Sequence, residues 1–333
     1  MLAKKFARQL IPRRFIQGIL PARFRETSAE QQPLLSRHDI LNLAQRIELD
    51  TGRNQPHPEV AHRLYGDNRS VYRGYGLDFE ESRNYQPGDE IRFMNWRLTA
   101  RMGEPYMKVF REERRPGVFI LLDRRASMRF GTRVRLKATQ GARTATLAAF
   151  KARQHHTTIG GVMLEQHPLW LHDAMGDSGS YALAFSAACP CPPISQPDLD
   201  YEEPPSLGHM LRLLSAMLVS GSSVYLISDF TDLSQSDYPV LLQLASEHAI
   251  SAIHITDPAE INLPTAGNLQ LFEQHGSNGI SCDTNVKIVR NQYQQSAQQY
   301  MQSREAILRS TGCLYTHLST ETDTIETEIA FHE

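Results

Sequence analysis

The chain has 333 residues, 41% hydrophobic and 22% charged, with a formal net charge of −2. These proportions exclude a disordered chain, supply apolar material for one large domain or two smaller ones, and leave no whole-molecule field to attract nucleic acid. Cys189, Cys191, Cys282 and Cys313 form no C-x-x-C pair, so reduced thiols in a cytosolic protein are expected rather than a zinc site.

The first 25 residues are basic and free of acid, with no charged cap ahead of an apolar core as a secretory signal would have. Phe6, Leu10, Ile11, Phe15, Ile16, Ile19 and Leu20 recur at spacings suited to an anionic membrane surface, while Pro12 and Pro21 break the segment into short pieces. The segment therefore reads as a peripheral membrane contact, as an arm packed on its own domain, or as a frayed tail. No run of about 18 apolar residues exists to span a bilayer. After a polar link near Thr27 to Pro33, LSRHDILNLAQRIEL predicts an amphipathic helix with Ser36 as its N-cap and Leu41, Leu43, Ala44 and Ile47 facing inward.

From Tyr65 to Glu113 aromatic and glycine residues are dense and turns such as Pro87-Gly88-Asp89 recur, which predicts a small β-rich module anchored by Trp96 and Tyr85. Its basic residues, Arg92, Arg97, Arg101, Lys108, Arg111, Arg114 and Arg115, interleave with seven acidic ones. Matched signs suggest internal ion pairs or a docking surface rather than a phosphate stripe, with Arg97 and Arg101 as interaction candidates.

Beyond Gly117 the pattern alternates. Strands are predicted at GVFILLD, at Thr157 to Leu164, at SVYLISD, at AISAIHITD and at CLYTHLS. Helices are predicted over Val134 to Gln154, Tyr181 to Ala188, Leu207 to Leu218, Tyr238 to His248 and Val286 to Arg309. A Pro-rich loop spans Cys189 to Pro205, and LQLF with GISCD makes a hairpin. Alternating units with apolar strands predict an α/β fold, a doubly wound and mostly parallel sheet whose ligands gather at the carboxyl ends of its strands. The expected organisation is a basic arm and helix over 1–60, the β-rich module over 61–115, and the α/β domain over 116–333.

Asp123 and Asp229 each close an apolar strand and can meet at one edge of the sheet. With Ser127, Ser206 and residue 125 they would form an oxygen cage suited to Mg²⁺, but position 125 is Arg. A divalent ion about 4 Å from a guanidinium is repelled by roughly 8 kcal/mol at an effective dielectric of about 20. Arg125 is therefore expected to swing into solvent, or to replace the metal as a built-in cation gripping Asp123 and Asp229. A third possibility is that Asp123 merely caps a turn. No H-E-x-x-H, P-loop, G-x-G-x-x-G or G-x-S-x-G pattern is present.

The blocks GYGLDFEESRNYQPGDEIRFMNWRLTARMGEPYMKVFREE (74–113), LLDRRASMRFGTRVRLKA (121–138), LISDFTDL (226–233) and ITDPAEINLPTAGNLQLFE (255–273) resemble the bacterial family called domain of unknown function 58. The resemblance covers roughly residues 60 to 320. It implies a C-terminal von Willebrand factor A-like domain whose metal pattern, Asp-x-Ser-x-Ser, is met here by Asp123 and Ser127 but not by Arg125. Ser206 falls at that fold's second-loop Thr and Asp229 at its third-loop Asp, so the site would be a degenerate metal-ion-dependent adhesion site. Members often accompany MoxR-type AAA+ ATPases or other A-domain proteins, which implies an accessory, chaperone-like partner role and brings no catalytic reaction.

The combined expectation is a cytoplasmic, non-enzymatic interaction protein, with residues 1–25 as the segment that would make any peripheral contact at the inner membrane surface. Its cofactor is either none or Mg²⁺, and nucleic acid is not a partner. The alternatives are a Mg²⁺-dependent hydrolase using Asp123 and Asp229, or a membrane-peripheral scaffold.

Overall fold

The computed structural model describes residues 32–50, 73–86, 90–111, 116–155, 157–191, 203–272 and 279–325. The basic arm, the turn at 87–89, the charges at 112–115 and most of the Pro-rich loop lie outside them. Contacts divide the chain into two compact units, one formed by Met1–Pro58 with Gly117–Glu333 and the other by Glu59–Pro116. Among the described residues no helix is long and apolar enough to cross a membrane.

In the larger unit, helix α1 (Arg37–Asp50) comes first. Ser36 and Asp39 close a reciprocal cap at its start, with Asp39 N donating to Ser36 Oγ at 3.1 Å and Ser36 N to Asp39 Oδ2 at 2.9 Å. Ile40, Leu43, Ala44 and Ile47 are buried against the α/β core, so this helix belongs to that unit rather than to a separate arm. Leu41 is left 40% exposed.

The smaller unit holds β1 (Arg73–Asn84), α2 (Trp96–Met102) and β2 (Tyr106–Arg111), with β1 and β2 antiparallel. The strands make up most of the described part of this unit, and the helix between them is an element the sequence reading did not include. Asn95 accepts from Leu98 N at its start, and Gly103 ends it at φ 77°, a left-handed conformation that glycine adopts without a Cβ penalty. Trp96 is 63% exposed and so is not the core anchor its size suggested.

The larger unit continues with β3 (Val118–Asp123), α3 (Lys137–Gln154), β4 (Thr158–Leu164), β5 (Leu169–Met175), α4 (Gly176–Ala188) and α5 (Leu207–Met217). After these come β6 (Ser223–Ser228), α6 (Tyr238–Glu247), β7 (Ala249–Thr256), the short α7 (Pro258–Ile261), the hairpin β8 (Asn268–Phe272) and β9 (Gly279–Asp283), α8 (Lys287–Ser310) and β10 (Leu314–Ser319). Six strands form one sheet in the order β10-β7-β6-β3-β4-β5, parallel except for β5. This is the doubly wound, mostly parallel α/β sheet expected from the sequence.

Strand alternation builds two cores. Ile120 and Leu122 face a layer containing α1, α3 and α4, whereas Phe119 and Leu121 face α5, α6 and Leu308 of α8. Both faces are covered, so β3 reads as an unbroken apolar run. The alanine-rich α3 lies close on the sheet: a Cβ at Gly141 would stand 2.8 Å from Leu122 Cδ1.

Strand order positions the site. From β3 the chain winds one way through β4 and β5, then the other way through β6, β7 and β10. The loops after β3 and β6 therefore diverge at the switch point, where such sheets hold ligands.

Candidate functional site

Asp123 closes β3 with no exposed surface. Its carboxylate accepts the Arg125 backbone N–H at 3.0 Å and the Ser228 hydroxyl at 2.7 Å. The Arg125 side chain then folds back on it, Nε donating to Oδ1 at 3.0 Å and Nη2 to Oδ2 at 2.7 Å. On the opposite side Asp232 takes Nη1 at 2.6 Å and Nη2 at 2.9 Å, and Nη1 also reaches the Pro205 carbonyl at 3.3 Å. All five guanidinium N–H donors are therefore committed. Asp232 Oδ2 further accepts Leu207 N at 2.8 Å, at the first residue of α5, where the helix dipole favours a negative charge. Burial opposes the charge on Arg125, but Asp123 beside it and the hydrogen bonds that Arg125 donates to Asp232 and Asp123 outweigh burial and raise its pKa.

One strand over, Asp229 follows β6 and is 2% exposed. Lys137, the first residue of α3 and 1% exposed, donates to Asp229 Oδ2 at 2.8 Å and to Glu260 Oε1 at 2.6 Å. A lysine at a helix N-terminus meets the wrong end of the dipole, so these two carboxylates are what hold its charge there. Thr231 donates to Asp229 Oδ1 through its backbone N at 3.2 Å and its hydroxyl at 3.0 Å. Desolvation pushes the Asp229 pKa up, but Lys137 overcomes this and lowers it, helped by Arg125 and a hydrogen bond from Ser127. Glu260 goes the other way: its burial, with Asp229 nearby, outweighs the pull of Lys137 and leaves its pKa raised. His254 is held neutral chiefly by burial, its pKa pushed down to about 3. A cavity of ≈ 20 Å³ bounded by Asp229, His254, Glu260 and Tyr300 has room for about one water.

The donor set does not fit the Mg²⁺ that the family resemblance implies. Both Asp123 oxygens face a guanidinium, Asp229 holds an ammonium, and residue 125 brings a cation where an oxygen ligand would stand. Ser206 is exposed and spends its hydroxyl on capping α5, accepting His209 N at 3.1 Å. Ser127 sits in a 3-10 turn (Ala126–Arg129), 9% exposed, and serves Asp229. Among the described residues no group of three His, Cys, Asp or Glu side chains is placed to hold a metal.

The structure thus brings Asp123, Arg125, Ser127 and Asp229 to one edge and corrects how they pair. The second carboxylate on Arg125 is Asp232, because Asp229 is taken by Lys137. Arg97 and Arg101 lie on α2 in the smaller unit, both exposed.

Three residues of the site, Lys137, Asp232 and Glu260, were absent from the sequence-derived set. Glu260 carried a usable signal, since Asp257-Pro258-Ala259-Glu260 is a capping-box spacing and Asp257 N does donate to Glu260 Oε2 at 2.9 Å. Lys137 showed only as a basic residue opening a helix. Asp232 looked like an ordinary turn aspartate.

The sequence model of the family described as "Protein of unknown function DUF58" matches residues 81–303. Among curated proteins, "Uncharacterized protein Rv1480" of Mycobacterium tuberculosis is 23% identical over 270 residues, which is 80% of this chain and 82% of that protein. "Uncharacterized protein Mb1516" of Mycobacterium bovis matches with the same figures. Among solved structures, the conserved hypothetical protein BatB from Bacteroides thetaiotaomicron aligns at TM-score 0.43 and 13% identity, over 64% of this chain and 95% of that one. An aerotolerance-related membrane protein from Bacteroides fragilis aligns at TM-score 0.33 and 12% identity, over 60% and 99%.

Proposed function

The chain belongs to the DUF58 family, and from that premise we propose that it is a non-catalytic protein-interaction domain that works without a divalent ion, as the accessory partner of a MoxR-type AAA+ ATPase. One observation carries the metal-independent part: the guanidinium of Arg125 stands between Asp123 and Asp232 with every donor bonded, so the cation is built in. An internal cation needs no metal supply and cannot be stripped by a chelator. The ATPase partner rests on the family resemblance and on a switch-point edge of the kind where α/β sheets engage ligands. The hydrolase alternative gains nothing from the same carboxylates. Asp123 is neutralised by Arg125 and Asp229 by Lys137, which leaves neither free to hold Mg²⁺.

The test is capture of a purified, nucleotide-free MoxR-type ATPase on immobilised chain, with either EDTA or Mg²⁺ in the buffer. Equal capture in both buffers is expected. Capture lost in EDTA and restored by Mg²⁺ overturns metal independence, and no capture in either overturns the ATPase as partner.

A further inference from the structure

We propose that the outer face of Arg125 is a carboxylate-exchange site, in which an aspartate or glutamate side chain of a protein partner takes the place that Asp232 occupies in the free chain. This rests on the interaction reading above and names the chemistry that the partner brings.

The two carboxylates on Arg125 are not equivalent. Asp123 has no exposed surface and is fixed by the Ser228 hydroxyl and the Arg125 backbone N–H as well as by the guanidinium. The Asp232 side chain is 30% exposed and bonds three donors: Arg125 Nη1, Arg125 Nη2 and Leu207 N. Those three make a cradle for any carboxylate, an end-on guanidinium fork beside the first N–H of an 11-residue helix. Without Asp232 the inner pair of Arg125 and Asp123 is neutral, so an incoming anion meets no net repulsion there. Exchange of one carboxylate for another also conserves every hydrogen bond in the cradle. Asp232 thus stands where an external ligand would, supplied by the chain itself.

Competition sets the conditions. Asp232 lies four residues beyond Ser228, which bonds Asp123, and acts as an intramolecular ligand whose effective concentration is about millimolar at the least and rises with the rigidity of that short loop. A small free carboxylate does not displace it. A partner that makes further contacts does, and removal of Asp232 exposes the cradle to small anions.

The experiment therefore uses Asp232→Ala and Asp232→Ser, with thermal unfolding followed in sodium acetate, in sodium chloride at equal ionic strength, and in acetamide as the neutral isostere. Acetate is expected to raise the unfolding midpoint of both variants by about 2 °C or more over chloride, with no rise from acetamide and none from acetate in the wild type. The same midpoint in acetate and chloride for a folded variant, or an equal acetate effect in the wild type, overturns the site. An acetate effect without capture of the ATPase overturns the partner reading and leaves the exchange site standing. Capture without an acetate effect does the reverse.

Discussion

The Arg125 and Lys137 clusters end neighbouring strands of one sheet, and each sets one cation between two carboxylates. They differ in what lies outside them. Arg125 is buried on its Asp123 side, but its other partner, Asp232, has a side chain 30% exposed. Lys137 is closed on both sides, with Asp229 and Glu260 side chains only 2% and 10% exposed. Burial raises the cost of removing one member of such a set, because the remaining charges lose both their partner and their water. A cluster closed on all sides is therefore structural, whereas one with an open side can trade partners.

The largest test of that contrast is Lys137→Met, which leaves two buried carboxylates without a cation and is expected to cost about 3–5 kcal/mol in urea unfolding. Adding Asp229→Asn and Glu260→Gln should recover most of the loss. A cost under about 1 kcal/mol for Lys137→Met would show that this cluster reaches water after all.

Arg125→Ser should cost less, about 2–3 kcal/mol, because the freed Asp232 can turn to solvent. The variant replaces a repelling cation with a hydroxyl oxygen next to two carboxylates. Millimolar Mg²⁺ should therefore raise its unfolding midpoint and leave the wild type unchanged. No Mg²⁺ effect in the variant would mean that the surrounding oxygens do not converge.

Acidity separates the clusters through His254, which donates to or accepts from Tyr315 Oη through Nδ1 at 2.9 Å and lies edge-on to Phe230. The folded state keeps His254 neutral down to about pH 3, whereas the unfolded chain binds a proton there below about 6.5. Stability should thus fall as pH drops through that window, by on the order of 1–2 kcal/mol between about pH 6.5 and 5. His248 and His317, also lowered by burial, add to the same slope. Glu260 opposes it: with its folded pKa raised, the folded state takes up a proton before the unfolded chain does and gains stability as pH falls. Asp229, lowered in the folded state, contributes its loss only further down, as pH falls from its unfolded value of 3.8 through its folded value of about 2. Urea unfolding of His254→Gln across this range should show a flatter acid limb than the wild type. The smallest effect belongs outside both clusters: Arg97→Ala and Arg101→Ala, on exposed positions of α2, should each change stability by less than about 0.5 kcal/mol.

How much of this was legible follows from what each signal reports. Apolar runs closed by Asp123 and Asp229 gave the central strands and their shared edge, because a strand buried on both faces has no polar alternation to blur it. The β5 strand was missed: its burial pattern alternates only weakly at the sheet margin, and it pairs on one side alone. Helix α2 was hidden by its aromatic surroundings, although Asn95 before it and Gly103 after it are ordinary helix start and stop residues. The pairing inside the site was beyond reach for another reason. Arg125 could be seen to need carboxylates, but whether Asp229 or Asp232 answered depended on Lys137, which is brought in by a helix on one face of the sheet.

Phe230 decides how these loops divide their carboxylates. It sits between the clusters with φ 50°, rare for a bulky side chain and worth about 1–3 kcal/mol of strain, with its ring fully buried. Its N–H bonds Ser228 Oγ at 3.0 Å, and the next residue, Thr231, offers its carbonyl to Tyr300 Oη on α8 at 2.9 Å. Within five residues the chain is thus pinned to β3 through Ser228, to α3 through Asp229, to α8 through Thr231 and to α5 through Asp232. A crank so short and so firmly bolted has little slack to absorb movement. Asp232 and the Thr231 carbonyl are adjacent along the chain, so the long helix α8 holds the backbone one residue from the carboxylate that Arg125 grips.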